Sequence, residues 1–558
     1  MRDPTEWSTQ MTLHPHPTDQ IPAETARVAR AIARKKGNDY LRMRDSFGTI
    51  FTDLDFSALY PRRGQPGYAP WRLALVTLVQ YLEGLSDEQA AEAVRTRIDL
   101  KYLLGLPLED TGFDPSVLSE FRTRLVEQEK TSMLFDLLLA RLFQEGLVRP
   151  GGRVRTDSTH VLAAVQQLTR LALVRESVRH ALNTLALAAP DWLVAMADPV
   201  WVNRYGARSE NERLPKQAAR RERLACQIGQ DGSTVLAAVD APAAPGWLRA
   251  LPALQVLRRV WIEQYYTDDA GQRLRSPEEL PPCSQAIASP HDTEVRRSWK
   301  RGQEWVGSKV HLTEACEPDR PRLITQVTTT AATVPDRRVT GAIQEALVGK
   351  DLAPDVQVAD GGYVDADTLV ESQQRHIRLL GPVQEDTSWQ AKSPEAFTAR
   401  EFAVDWEQEQ VTCPAGATNC GWRQKRDQRG TEVIIVLFAH TACGSCSLRT
   451  RCTTSGRRTV TLRPRAQYEA LAAVRAAQQT EAFQEAYAVR AGIEGTISQG
   501  VRRSGLRQAR YRGHPKTSFQ HHAIAAALNY QRTAEWLDDH TPATTRRAPL
   551  VRVLAPAA

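Results

Sequence analysis

The chain has 558 residues, 42% hydrophobic and 25% charged, the balance of an ordinary soluble protein long enough to split into several domains. No stretch approaches the ~20 apolar residues of a membrane span, and the first twenty residues lack a signal peptide's apolar core, so a cytoplasmic protein with no membrane partner is expected. The net charge is +7, and 61 of the 72 cations are Arg against 11 Lys, which suits a polyanion partner; genomic base composition is the other source of such an excess.

Residues 1–65 are polar and Pro-interrupted, then basic at 30–36. A helix is predicted from Pro70, with Leu73, Val76, Leu78, Val79 and Leu82 as its apolar stripe and Gly84 as its end. Ser86 to Gln89 is a capping box opening a second helix that runs to Leu104 and Gly105. Asp114-Pro115 opens a third, with Phe121 and Leu125 inward and Arg122 and Arg124 outward. Short helices on tight turns suit a helix-turn-helix DNA reader, the alternative being a plain helical bundle. A further helix at 132–145 leads to Pro150-Gly151-Gly152, which closes an N-terminal helical domain, 1–150.

A short strand at 153–157 ends on Asp157. His160 follows three residues later, and a lone histidine is more often structural than catalytic. Residues 162–290 read as a helical insertion, with Leu171, Val174, Val178, Leu182 and Leu185 at helical spacing. From Trp305 the period changes. Residues 305–313 and 323–329 read as strands, 336–348 as a helix, and 355–360 as a strand ending on Asp360 before Gly361-Gly362. A helix at 366–375 and a strand at 377–382 follow. This order describes an α/β layer with a mixed sheet, spanning 151–384, in which acids at strand ends are well placed for a site.

Residues 385–465 form a β-rich insertion holding five of the eight cysteines. Cys443-x2-Cys446, with Cys452 downstream and Cys413 upstream, fits a tetrahedral structural zinc site; Cys420 is an alternative ligand, and unlinked thiols are the alternative state. Helices resume over 466–540. A helix at 487–500 sets Tyr487, Arg490 and Glu494 on one face. Arg502, Arg503, Arg507, Arg510 and Arg512 follow with Tyr511 interleaved, the densest basic run in the chain. Beside an acidic site such a run suits phosphate-backbone contact; a solvated face is the plainer reading. A last helix at 521–536 precedes a tail, 541–558, expected to be disordered.

Together, DSTHV from Asp157, ADGGY around Asp360 and YAVRAGIEGTISQGVRRSGLRQARYRG around Glu494 resemble the DDE transposases of bacterial insertion sequences. WVGSKVHLTEAC, the CPAG…CGSCSLRTRC insertion and GYAPWRLALVTLVQYLEGLSDEQAA resemble one subgroup of them, and the likeness spans about residues 50–535. The resemblance implies an α/β fold, a ribonuclease H-like mixed sheet flanked by helices, with an N-terminal all-α domain and a β-rich Cys-containing insertion. It implies that Asp157, Asp360 and Glu494 are the catalytic residues. Tyr487, Arg490 and Glu494 match the first three members of a Tyr-x2-Arg-x3-Glu-x6-Lys signature. Its Lys position is Val501 here, with Arg502 or Arg503 as the substitute.

The expected function is binding of element ends followed by metal-dependent cleavage and strand transfer. The three carboxylates hold two Mg2+ (or Mn2+) ions, one activating water or a DNA 3′-hydroxyl and one stabilising the leaving oxygen. Arg490 grips a phosphate, and Tyr487 and the five arginines contact DNA. The expected partners are double-stranded DNA, as terminal inverted repeats and as target, and a second copy of the chain, since two ends must be paired. The expected location is the bacterial nucleoid. The alternatives are a catalytically inactive DNA-binding protein derived from a transposase and a metal-dependent nuclease of the same fold.

Overall fold

The computed structural model describes residues 13, 20–33, 37–61, 63, 67–207, 214, 215, 217–269, 271–300, 302–428 and 430–538. Part of the basic stretch at 30–36, and the tail 541–558 expected to be disordered, lie outside the described residues. Among the described residues no helix is long and apolar enough to cross a membrane.

Pro70 opens helix α1 (Pro70–Glu83), where its missing N–H is no loss, and Gly84 closes it at φ 74°. Eleven of its residues are buried, so α1 is wrapped on nearly all sides. The expected second helix is two. Asp87–Thr96 stands on the Ser86 capping box, and Ile98–Leu104 follows after Arg97 leaves helical geometry. Helix α2 (Ser116–Glu127) turns Phe121 and Leu125 inward as its periodicity requires. Arg122 does not point outward as expected. It is buried, donates to both oxygens of Asp87 at 2.8 and 2.5 Å, and lies over the Tyr511 ring. Arg124 is half-buried over Tyr60. The two arginines expected to face solvent are thus engaged within the fold.

The main sheet has six strands. They are β1 (Arg153–Leu162), β2 (Arg296–Lys300), β3 (Gln303–Ala315), β4 (Ile324–Ala331), β5 (Val356–Ala359) and β6 (Arg378–Leu380). β1 pairs antiparallel with β3 and parallel with β5. β3 takes β4 and β2 as antiparallel partners, and β6 runs parallel to β5. Helix α3 (Arg337–Val348) joins β4 to β5.

The C-terminal helices close the fold. Helix α4 (Gly492–Ser504) lies on β1, and helix α5 (His514–Leu537) lies between the sheet and the N-terminal helices. Asn529 of α5 pairs with both backbone groups of Ile324 on β4, at 2.7 and 2.8 Å. One continuous apolar core therefore includes α1, α2, the sheet and α5, running across position 150. Separate cores sit within 168–287 and within 402–462.

A buried ion cluster fixes α4 to the sheet. Glu314 of β3 is fully buried. It accepts Arg155 Nε at 2.6 Å, Arg532 Nη1 at 2.9 Å and the Thr496 hydroxyl at 2.5 Å. A Cβ on Gly492 would meet Arg155 Nη1 at 1.7 Å, so glycine is what allows α4 this close to β1. Removing one member of a buried pair strands its partners. Glu314→Ala is expected to cost about 3–5 kcal/mol, read as a lower urea midpoint by circular dichroism; an unchanged midpoint would contradict it.

Candidate active site

Asp157 sits in the middle of β1 rather than at its end, because β3 pairs with β1 along its whole length, to Leu162. Strand alternation turns Arg155, Asp157 and Thr159 to the α4 face, and Thr156, Ser158 and His160 to the other. On the parallel neighbour β5, Ala359 lies beside Thr156. The following residue, Asp360, therefore comes up beside Asp157. It leaves the strand in a turn, its Oδ1 accepting the Gly362 N–H at 2.9 Å.

Glu494 arrives on α4. The single helix expected over 487–500 is broken into a helix at Glu481–Ala488, a 3-10 turn at Val489–Ala491, and α4. Within the turn the Val489 carbonyl accepts Arg155 Nη1 at 2.9 Å. Tyr487, Arg490 and Glu494 nevertheless converge. The Arg490 guanidinium lies 5.8 Å from the Tyr487 ring centre. It donates to Asp157 Oδ2 at 3.0 Å and to Glu494 Oε1 at 2.9 Å.

Burial pushes the Asp157 carboxyl above the usual carboxylate range, and the charges of Asp360 and Glu494 push the same way against the Ser158 N–H and Arg490. Glu494 is far more open, its side chain 63% exposed against 16% for Asp157. Among the described residues, no group of three or more His, Cys, Asp or Glu side chains is arranged to hold a metal ion. Arg490 bridges Asp157 and Glu494. The donor set itself, three carboxylates, is that of a hard divalent cation.

Two charged residues that sequence reasoning left out also border the site. Asp336, read only as the start of α3, accepts Lys309 Nζ on Oδ1 at 2.9 Å and the Ser158 hydroxyl on Oδ2 at 3.3 Å. A Cβ on Gly362 would lie 3.0 Å from Asp360 Oδ1 and 3.4 Å from Asp336 Oδ2, so these two carboxylates flank one glycine. Lys309 lay in the WVGSKVHLTEAC stretch already singled out, and period-2 alternation places it on the Ser158 face.

The five arginines of the basic run are all exposed. Arg507 Nε donates to Thr159 at 2.7 Å, two residues beyond Asp157. Arg510 donates to the Leu85 carbonyl and lies over Tyr81, tying the run to α1. Arg502 and Arg503 occupy the last turn of α4, and Arg512 lies beyond it.

In the cysteine insertion, Cys413, Cys443, Cys446 and Cys452 line one cavity of about 40 Å³, which Cys420 does not border. The Arg458 N–H points at Cys443 Sγ, 3.5 Å away. Burial raises the Cys452 thiol above its usual value. All eight cysteines are free, and the four thiols do not form a ready metal-holding group.

Two family models match the chain: a transposase domain (DUF772) over residues 31–124 and a transposase DDE domain over residues 412–534. The second begins within the cysteine insertion and includes Glu494, but neither Asp157 nor Asp360. No curated protein and no solved structure matches the chain.

Asp157 gives a stability test. With its folded value raised, ionising this group opposes folding; the opposition is complete above the folded value and vanishes below the unfolded one. Asp157→Asn is therefore expected to melt higher than wild type at neutral pH in EDTA, with the gap closing as pH falls through the carboxylate range. A gap that widens on acidification would contradict this sign.

Proposed function

We propose that this chain, which its two family matches indicate to be an insertion-sequence DDE transposase, cuts DNA at the ends of its element and joins those ends to a target. Transposase families imply DNA binding and a DNA-transposing enzyme, and a DDE domain generally uses divalent metal ions. The finer reading assigns the chemistry to Asp157, Asp360 and Glu494. The observation that carries it is the approach of these three acids from β1, the end of β5 and α4, with Arg490 bridging the first and the last. The strand order β6-β5-β1-β3-β4 supports a ribonuclease H-like core, since β1, β3 and β4 are successively antiparallel while β5 and β6 run parallel to β1.

On this reading the three carboxylates hold Mg2+ (or Mn2+). Bound there, such ions supply Lewis-acid activation of water or a 3′-hydroxyl and stabilise the leaving oxygen. The chain's own contribution is charge and position. Burying Asp157 beside two further carboxylates makes it a strong cation acceptor. Arg490, stacked on Tyr487, presents a planar fork that matches a phosphate as well as it matches carboxylates. Arg502, Arg503 and Arg512 offer backbone-phosphate contacts, and Arg507 and Arg510 offer their outer edges while anchored to Thr159 and Leu85. Pairing of two ends calls for a dimer on DNA, with residues 1–150 taking part in end recognition.

The same proposal includes structural Zn2+ at Cys413, Cys443, Cys446 and Cys452. Its support is the cavity they share and the soft sulfur donors they would supply, a donor type that suits zinc once the thiols are deprotonated.

Two measurements test these assignments. Asp157→Ala and Glu494→Gln are each expected to lower cleavage of end-labelled DNA in Mg2+ by about 10²–10³-fold or more while end binding persists. Cleavage at the wild-type rate would remove these residues from the chemistry. Wild-type binding without any cutting would favour the inactive DNA-binding reading, and cutting without joined products the nuclease. Mass spectrometry of purified protein is expected to find one zinc per chain, lost when Cys443 and Cys446 are both changed to Ser. Its absence from wild type would refute the zinc site.

A further inference from the structure

We infer a second phosphate contact, built on Lys309, on the sheet face opposite Glu494. The inference rests on the reading that Asp157, Asp360 and Glu494 act on DNA. It begins with register. Asp157 is paired with Leu312, and these turn toward α4; Ser158 with His311, and His160 with Lys309, turn the other way. Arg490 therefore serves one side of the acid trio, while Lys309 stands on the other.

Lys309 is held in place. Its Nζ donates to the Val334 carbonyl at 2.8 Å and to Asp336 Oδ1 at 2.9 Å. An ammonium has three donors, so one remains for a ligand. The side chain is 21% exposed, enough to be reached and too little to wander. Asp336 is itself fixed from behind by the Ser158 hydroxyl, and Ser158 is the residue next to Asp157. Asp336 also flanks Gly362 together with Asp360. The turn that carries Asp336 is thereby tied to both acid-bearing strands.

A point charge held by two acceptors suits a phosphate oxygen. Strand transfer brings two DNA strands to one set of acids, and a cation on each side of the trio gives each strand's phosphate a partner. Asp336 is then a positioning residue: it acts through Lys309 and touches no DNA.

The test uses the full chain with a fluorescent duplex taken from the DNA flanking the gene, titrated across salt concentrations, and cleavage of the same duplex in Mg2+. Lys309→Ala is expected to lower the slope of log affinity against log salt by about 0.9, one released counterion, and to slow cleavage roughly tenfold. Lys309→Arg is expected to restore the slope and most of the rate. Asp336→Asn is expected to keep the slope and slow cleavage, because it removes no cation. Lys309→Ala with wild-type slope and wild-type rate would overturn the inference. So would neutral variants, Ala and Met alike, that fail to fold by circular dichroism, since the pair would then only staple the 331–336 turn. Wild-type protein that neither binds nor cuts the duplex would sink the transposase chemistry together with this contact.

Discussion

The arrangement of the acids depends on a carboxylate that is not one of them. Glu314 is buried under two guanidiniums and a hydroxyl, and each partner belongs to a different element: Arg155 to β1, Arg532 to α5 and Thr496 to α4. Charges this far from water are tolerated only when fully paired, so the four elements are held to one geometry. Arg155 lies two residues before Asp157, and Thr496 two residues after Glu494. The cluster thus fixes the distance between two acids that are remote in sequence.

Within that frame the acids outnumber the cations that pair with them. Asp157 is pushed toward protonation by burial and by its acidic neighbours, and a single guanidinium serves both it and Glu494. Arg490 is suited to this because its planar fork presents separate donors to separate oxygens. A lysine there would offer a single charge centre to both. Asp336 adds a fourth carboxylate on the far side, matched by Lys309.

Much of this was legible locally. The change from helical to alternating period at Trp305, the acid Asp360 at a strand end and the capping box at Ser86 all lie in short windows, and the elements formed where these patterns stood. Asp157, by contrast, ended up mid-strand because β3 extends β1 to Leu162. What escaped depends on partners far along the chain. Helical arithmetic turns Arg122 to solvent, but Asp87 and Tyr511 receive it inside. The 3-10 turn at 489–491 has no local breaker. Its neighbour Gly492 meets Arg155, a residue on another element. β2, Arg-Arg-Ser-Trp-Lys, is too polar to read as a strand, and pairing with β3 makes it one. Asp336 and Lys309 each look like ordinary surface charges until the β1–β3 register brings Ser158 between them and the trio.

The position of α5 has a consequence for synthesis. The helices around α1 leave the ribosome before α5, and the surface that completes their packing is made several hundred residues later. Until α5 is released, the early helices carry apolar faces without a mate, a state prone to chaperone capture or clumping. Premature termination before α5 would therefore deprive both halves of their common interior, and a shortened product would not persist as a folded competitor of the whole protein.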